Sequence, residues 1–142
     1  MKMSQFEYRA YVTKVYDGDT ITCDMDLGFG IYLKQQKFRL YGINAPELRG
    51  KDSIQGIASR DALSQQILNK NVIIHTMKDK KEKYGRYLGI IYLDKLNINQ
   101  WLLDNHFAIK YMDKDNELHE PSLIPDSNLN DTKDSKQNII QN

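Results

Sequence analysis

Two carboxylates flank a glycine near the start of the chain, in the sequence DGDT at residues 17–20. The residues that follow alternate in polarity, which places Asp19 on the same strand face as the apolar Ile21 and Cys23. Burying a lone carboxylate is costly unless a cation or hydrogen bonds compensate. The segment therefore predicts either a metal ligand at Asp19 or a turn whose carboxylates cap backbone amides.

A second cluster of polar groups lies where a predicted strand ends, at Arg39, Asn44, Ala45 and Glu47. Calcium accepts oxygen ligands from carboxylates, amide side chains and backbone carbonyls together. Asp19, Asn44 and the carbonyl of Ala45 could provide part of such a shell, with water completing it. Glu47 could then hold or deprotonate an attacking water. The alternative is a strand-end loop with a solvent-exposed glutamate.

The third cluster is a basic hairpin tip, KDKKEKYGR at residues 78–86. Arginine can bind a phosphate through two hydrogen bonds, whereas lysine acts as a point charge. An aromatic side chain in such a tip can stack on a base. The segment predicts substrate contacts from four residues, which are Lys78, Lys81, Lys83 and Tyr84, and a phosphate contact from Arg86. The alternative is a solvated hairpin tip.

Hydrophobic periodicity predicts the elements that hold these clusters. Alternation of polar and apolar residues indicates strands, and apolar residues at three- and four-residue spacing indicate a helix with a face of Ile54, Ile57, Ala58, Ala62 and Ile67. The predicted strands are 6–13, 20–27, 31–43, one that opens with 72–74, and 88–93, and the predicted helices are 54–69 and about 99–105. Five short strands with a helix between the third and fourth and a short helix after the fifth predict an α+β fold, a five-stranded oligonucleotide-binding-type (OB-type) barrel with packed helices. This barrel suits a nuclease and a pure binding module alike.

Charge divides the chain into two parts. Residues 1–112 contain 17 Lys and Arg against 12 Asp and Glu, a net charge of +5, whereas residues 113–142 contain 3 against 7, a net charge of −4. A basic body suits an anionic partner, although both parts could also be ordinary solvated surface. The second part holds two of the three prolines and no aromatic residue. We therefore predict a folded domain over 1–112 and a polar, acidic, disordered tail over 113–142.

Several classes of protein are excluded or disfavoured by composition. The single cysteine, Cys23, permits no intramolecular disulfide and no cysteine zinc site, and the three histidines lack metal-ligand spacing. The N-terminus lacks the apolar core of a secretory signal, and no stretch approaches the roughly 20 apolar residues that span a bilayer. We therefore expect a cytoplasmic monomer without membrane contact.

Three motifs occur in a fixed order, namely VYDGDT at 15–20, FRLYGINAPE at 38–47 and KYGRYLGIIY at 83–92. Together they resemble the staphylococcal nuclease (thermonuclease-like) family over roughly residues 6–111. The resemblance implies a five-stranded barrel and calcium-dependent cleavage of phosphodiester bonds in single-stranded or locally melted DNA or RNA. It also implies products that end in a 3′-phosphate.

The resemblance implies a role for each matching residue. Asp19 would be the principal metal carboxylate and the Ala45 carbonyl a second ligand, while Glu47 would orient or activate the attacking water. Arg39 and Arg86 would neutralise the phosphate as negative charge develops on it. Among the contacts to substrate, the family pattern assigns one to Tyr84.

This chain departs from the family pattern at three places, of which Ala45 matters little because the ligand there is a backbone carbonyl. Asn44 replaces a second metal-binding aspartate, so one negative charge is missing and calcium affinity should fall. The segment after Tyr111 shows no clear third helix, which leaves part of the substrate-side wall unaccounted for. The alternatives to a nuclease are a catalytically inactive nucleic-acid-binding OB-type module and, with less support, an adaptor domain whose acidic tail binds a partner.

Overall fold

The computed structural model describes residues 6–78 and 86–111. The strands are β1 (Glu7–Asp17), β2 (Thr20–Gly28), β3 (Ile31–Leu40), β4 (Ile43–Asn44), β5 (Asn71–Lys78), β6 (Tyr87–Leu93), β7 (Leu96–Asn97) and β8 (Ile109–Lys110). The helices are a 3₁₀ turn (Gly50–Asp52), α1 (Ser53–Ile67) and α2 (Ile98–Asp104). Neither α-helix in this part of the chain is long and apolar enough to cross a membrane.

The five long strands form a closed barrel. They pair in the order β3-β2-β1-β5-β6, and a parallel pairing of β3 with β6 closes the ring. The closing pair aligns Phe38 with Tyr87, Arg39 with Leu88 and Leu40 with Gly89. Helix α1 lies between the third and fourth barrel strands in sequence, and α2 follows the fifth. The predicted OB-type barrel with two packed helices is therefore confirmed.

The alternating sequence pattern explains how the barrel interior is filled. Successive side chains of a strand point to opposite faces, so residues of one parity are removed from water. The buried apolar residues of β1 to β3 are Ala10, Val12, Ile21, Cys23, Met25, Phe38 and Leu40. The helices add Leu63, Ile67, Ile98 and Leu102 to the same core. β6 is apolar on both parities and is buried at three successive positions, 89–91, as is typical of a strand covered on both faces.

Two strand boundaries differ from the prediction. The first strand continues to Asp17 instead of ending at residue 13, and the predicted third strand, 31–43, is divided into β3 and β4. The division falls at Gly42, whose φ of 79° interrupts the extended backbone. After this break β4 pairs with β8 in a separate two-stranded sheet.

The predicted inner face of α1 is wrong except at Ile67, which is fully buried. Ile54 is 81% exposed and Ile57 is 43% exposed. The buried residues of α1 are Gly56, Ser59, Leu63 and Ile67. The helix turns small residues inward because two loops approach it closely: a side chain at Gly56 would overlap the Glu47 carbonyl, and the Cβ of Ser59 would lie 2.9 Å from a Cβ added at Gly18. Hydrophobic periodicity does not predict an interface made of small residues.

The barrel core makes a testable prediction about Cys23. Its side chain is fully buried, and burial, with a smaller contribution from Asp24, raises the pKa of the thiol from 9.0 to about 12. Because the thiolate is the reactive form, the raised pKa alone should slow alkylation by iodoacetamide at pH 8 by about a thousandfold relative to the unfolded chain. Mass spectrometry of labelling with and without guanidinium chloride measures this ratio. Equal rates would place Cys23 outside the core.

Candidate active site

Six residues predicted from the three motifs line one open cavity of about 730 Å³. These are Asp19, Arg39, Asn44, Ala45, Glu47 and Arg86. The barrel topology explains how distant segments meet: the β1–β2 turn supplies Asp19, and the closing β3–β6 pair brings the strand that contains Arg39 beside the residue that precedes β6, Arg86. The cavity therefore collects carboxylate, amide and guanidinium groups from four segments of the chain.

Asp19 is the most deeply buried polar side chain of the site, at 4% exposure. Its Oδ2 accepts a hydrogen bond of 2.8 Å from the backbone N–H of Ala45, and its Oδ1 accepts one of 3.1 Å from the hydroxyl of Thr20. The guanidinium of Arg39 lies 3.5 Å from the same Oδ2. Both predicted roles of the DGDT segment are compatible with this geometry, since the carboxylate binds a backbone amide and faces the cavity.

Arg39 is held by several contacts at once. Its Nη2 donates to the carbonyl oxygen of Ile43 at 3.2 Å and to Oδ1 of Asn44 at 3.3 Å, and its Nη1 faces Asp19. The guanidinium also lies over the ring of Tyr111, with its central carbon 5.3 Å from the ring centroid. A guanidinium has five N–H donors, so these contacts orient Arg39 and still allow it to bind a phosphate.

A second acid, Asp17, lines the same cavity and was not predicted as a site residue. Its Oδ1 accepts a hydrogen bond of 3.0 Å from the backbone N–H of Asp19. Burial, followed by the negative charge of Asp19, raises the pKa of Asp17 from 3.8 to about 6. Two carboxylates thus lie close together where water is partly excluded, an arrangement that a bound cation would stabilise.

Glu47 lies at the rim of the cavity and is exposed. Helix α1 supports its backbone through Gly56, because a Cβ added at that glycine would overlap the Glu47 carbonyl oxygen. The turn of Asp19 is packed in a similar way: a Cβ added at Gly18 would lie 2.7 Å from the Cβ of Ala45. The two glycines allow the turn, the loop at 45–47 and α1 to touch.

Of the four residues predicted to contact the substrate, only Lys78 belongs to the part of the chain that the structure describes. Lys78 is exposed at the end of β5, where it pairs with Tyr87 of β6, and it is not among the residues that line the cavity. Lys81, Lys83 and Tyr84 lie outside the described residues, as does the predicted tail 113–142.

The donor set of the cavity suits a hard cation. Asp19 and Asp17 offer carboxylate oxygens, Asn44 offers an amide oxygen, and Ala45 offers a backbone carbonyl, whereas none of the described residues that line the cavity has a thiol or an imidazole. Within residues 6–78 and 86–111 there is no cluster of three or more Asp, Glu, His or Cys side chains placed to hold a metal. A cation here would therefore depend on neutral oxygens and water as well as on two acids.

Asn99, on α2, supports the site from behind and was missed by sequence reasoning. Its side chain is buried; Oδ1 accepts from the backbone N–H of Ile91 at 3.1 Å, and Nδ2 donates to the carbonyl oxygens of Tyr41 and Gly89, both at 3.0 Å. These bonds join α2, β6 and the turn between β3 and β4. Such a role has no sequence signal beyond an asparagine on the inner face of a helix.

The chain belongs to the staphylococcal nuclease family. The family model described as "Staphylococcal nuclease homologue" matches residues 37–139. The match therefore includes the motifs that contain Arg39, Glu47 and Arg86, and it continues through most of the segment predicted to be a tail. The VYDGDT motif precedes the matched range.

Individual relatives agree with this assignment. The chain is 33% identical over 100 residues to a thermonuclease of Staphylococcus hyicus, an alignment that covers 68% of this chain and 56% of that protein. It is 37% identical over 100 residues to an uncharacterised endonuclease of Haemophilus influenzae, with 70% and 51% covered. An uncharacterised protein of Methanocaldococcus jannaschii is 26% identical over 158 residues, with 94% and 70% covered. The chain thus spans about half the length of the first two relatives.

The contact between α1 and the loop at Glu47 makes a prediction about Gly56. Helix propensity alone would make Gly56→Ala stabilising by about 1 kcal/mol. We expect the opposite, a loss of about 1–3 kcal/mol, because the added methyl overlaps a backbone carbonyl that must move. Urea unfolding of this variant and of Gln65→Ala, an exposed control on α1, measures the difference. A Gly56→Ala protein more stable than wild type would rule out the close contact.

The raised pKa of Asp17 predicts a pH-dependent effect of Asp17→Asn. A carboxyl whose pKa is higher in the folded state contributes stability below its unfolded value, and that contribution is lost as pH rises through about 6. Asparagine keeps an oxygen that can accept the hydrogen bond from the backbone N–H of Asp19, but it has no charge. With a chelator present, we therefore expect Asp17→Asn to be more stable to unfolding than wild type at pH 8. At pH 4 the difference in stability should be smaller or absent. Urea midpoints that differ equally at both pH values would contradict the shift.

Proposed function

We propose that this chain is a calcium-dependent endonuclease that hydrolyses phosphodiester bonds of single-stranded or melted DNA or RNA. The observation that supports this most strongly is the meeting of Asp19, Arg39, Glu47 and Arg86 at one cavity. Membership of the family and similarity to a thermonuclease give independent support. The products would end in a 3′-phosphate.

The two arginines would bind the scissile phosphate. Arg39 is already oriented by Ile43, Asn44 and Asp19, so it would lose little freedom when the substrate binds. Arg86 lines the same cavity, and two guanidinium groups at one phosphate would stabilise the negative charge of a five-coordinate transition state. Tyr84, Lys83, Lys81 and Lys78 would add contacts to the rest of the substrate.

Glu47 would hold the attacking water. Its carboxylate lies at the rim of the cavity, and its backbone is fixed against α1. An oxygen of this carboxylate would accept the proton as the water attacks phosphorus in line with the leaving oxygen. The exposed position of Glu47 allows water to reach it directly.

Calcium, when bound by Asp19, Asn44 and the Ala45 carbonyl, would act as a Lewis acid toward the phosphate. Asp17, beside Asp19, would add negative charge to this shell. The contact between Arg39 and Asn44 Oδ1 would have to loosen for that oxygen to bind a cation. We therefore propose a weak calcium site that fills at millimolar concentration.

A nucleic-acid-binding module without catalysis is the second candidate. It is favoured by the lack, among the described residues, of three acids placed to hold a metal, and by the contact of Asn44 with Arg39. This candidate requires neither calcium nor Glu47.

The variant Glu47→Gln separates the two candidates. It keeps the size of the side chain and removes its charge, so folding and binding of denatured DNA should be unchanged. Cleavage with calcium should fall by about a hundredfold or more, the usual scale for a positioned acid–base group. Initial rates and binding constants of wild type and variant, each with calcium and with chelator, give the comparison.

The outcomes of this experiment are distinct. A wild type that binds single strands yet never cuts them over a range of metals and pH would favour the binding module. Undiminished cleavage in excess chelator would exclude the calcium mechanism. A Glu47→Gln variant that cuts at the wild-type rate would leave Glu47 as a surface carboxylate.

A further inference from the structure

Lys14, Thr22 and Lys37 form a transverse row across the outer face of the barrel. Lys14 of β1 pairs with Thr22 of β2, and Thr22 pairs with Lys37 of β3. The neighbours of this row in sequence, Ile21 and Phe38, are buried, so the row faces solvent. We name these three residues the basic row.

The basic row continues the candidate active site. Two residues further along the strands from the Thr22–Lys37 pair, about 6.7 Å away, Thr20 of β2 pairs with Arg39 of β3. All three residues of the basic row line the same cavity as Arg39. Consecutive phosphates of an extended single strand have a similar separation, so a strand bound at Arg39 can place its following phosphates on the basic row.

A second groove extends the basic row away from Arg39. It has a volume of about 640 Å³ and is lined by the basic row together with four more residues, Thr13, Asp24, Lys34 and Gln35. The Nζ of Lys34 forms an ion pair with Oδ2 of Asp24 at 3.4 Å, and this pair offsets part of the lysine's charge. Within residues 6–78 and 86–111, neither Lys14 nor Lys37 makes an ion pair, so both charges are available to an anion.

An aromatic side chain lies beside the basic row. Tyr16 is 54% exposed and lines the cavity together with Lys14 and Lys37. Lysine ammonium groups bind phosphates as point charges, and an exposed tyrosine can stack on a base without selecting its identity. Paired charges with a neighbouring aromatic ring fit a polynucleotide better than an acidic protein surface, which has no bases to stack.

We infer that the basic row is an extended subsite that binds the backbone of a single-stranded polynucleotide beyond the scissile phosphate. The inference rests on the proposed function for its substrate class and adds a path for the strand across the outside of β1, β2 and β3. It also predicts that longer oligonucleotides bind more tightly than dinucleotides, because only they reach the row.

The test compares the double variant Lys14→Gln/Lys37→Gln with wild type. The control is Lys70→Gln/Lys95→Gln, which removes the same charge from exposed lysines that line neither the cavity nor the groove. Fluorescence anisotropy measures binding of a labelled thymidine dinucleotide and a labelled twelve-nucleotide oligothymidylate, in chelator and at several salt concentrations. Equal melting temperatures of the three proteins exclude a folding defect.

We expect the double variant to bind the twelve-nucleotide strand about tenfold or more weakly at low salt, since two phosphate contacts are lost. The slope of log affinity against log salt should fall by about 1.4, which is two contacts on a single strand. Dinucleotide binding and the control variant should match wild type.

Three results would overturn the inference. They are unchanged affinity and salt slope of the double variant on the long strand, an equal loss of affinity for the dinucleotide, and an equal loss in the control variant. Cleavage is measured separately with calcium. A wild type that shows the expected binding pattern but never cleaves would support the basic row and contradict the proposed nuclease, so the two claims fail independently.

Discussion

The burial of the Asp19 carboxylate is the constraint on which the site depends. A carboxylate at 4% exposure must have partners, and it finds them in the Ala45 amide, the Thr20 hydroxyl and the Arg39 guanidinium. The bond to Ala45 ties the turn between β1 and β2 to the loop that leads to Glu47. The predicted metal ligand and the predicted water-holding residue therefore have a fixed relation before any ligand binds.

Small residues make this arrangement possible. Gly18 lets the turn approach Ala45, and Gly56 lets α1 approach the Glu47 carbonyl. A side chain at Gly18 would separate the two segments that the Asp19–Ala45 bond joins, and one at Gly56 would separate α1 from the loop at Glu47. The site is thus built on close backbone contacts. Burial, followed by the negative charge of Asp19, raises the pKa of Asp17 to about 6.

Barrel closure determines the other half of the site. The parallel pairing of β3 with β6 aligns Arg39 with Leu88, so Arg86 enters the same cavity. Asn99 supports this region by donating hydrogen bonds to two carbonyl oxygens. One belongs to Gly89 of β6, and the other belongs to Tyr41, in the turn that follows β3. Loss of that side chain would remove all three of its hydrogen bonds, although the Gly89 carbonyl would keep the one that it accepts from the Tyr41 N–H. Each buried backbone group left without a partner would cost about 1–3 kcal/mol.

The barrel itself could be predicted from the sequence, because alternation on β1 and β2 and the continuous apolar run of β6 both report burial directly. The residues of the three motifs could be predicted because chemically specialised side chains recur at a characteristic spacing. The inner face of α1 could not, since Gly56 and Ser59 are buried by close approach and not by hydrophobicity. The sequence predicts Asp17 only as a turn residue, because its place in the cavity and the burial that raises its pKa follow from tertiary packing that the local sequence does not specify.

The basic row illustrates a further limit of sequence patterns. Lys14 and Lys37 are separated widely in sequence, and each is an ordinary exposed lysine on its own strand. Only the register of β1, β2 and β3 places them on either side of Thr22. Cross-strand neighbours of this kind become visible once the pairing is known.

The central claim is that Asp19, Asn44 and Ala45 form a cation site at the mouth of the barrel. Calcium titration of the ¹⁵N-labelled protein, followed by the backbone amide resonances, tests it most directly. The account predicts saturable shifts at residues 17–20 and 44–47, none at the distant turn of residues 28–30, and loss of the shifts in Asp19→Asn. A wild-type spectrum unaffected by millimolar calcium, or shifts that persist unchanged in Asp19→Asn, would contradict it.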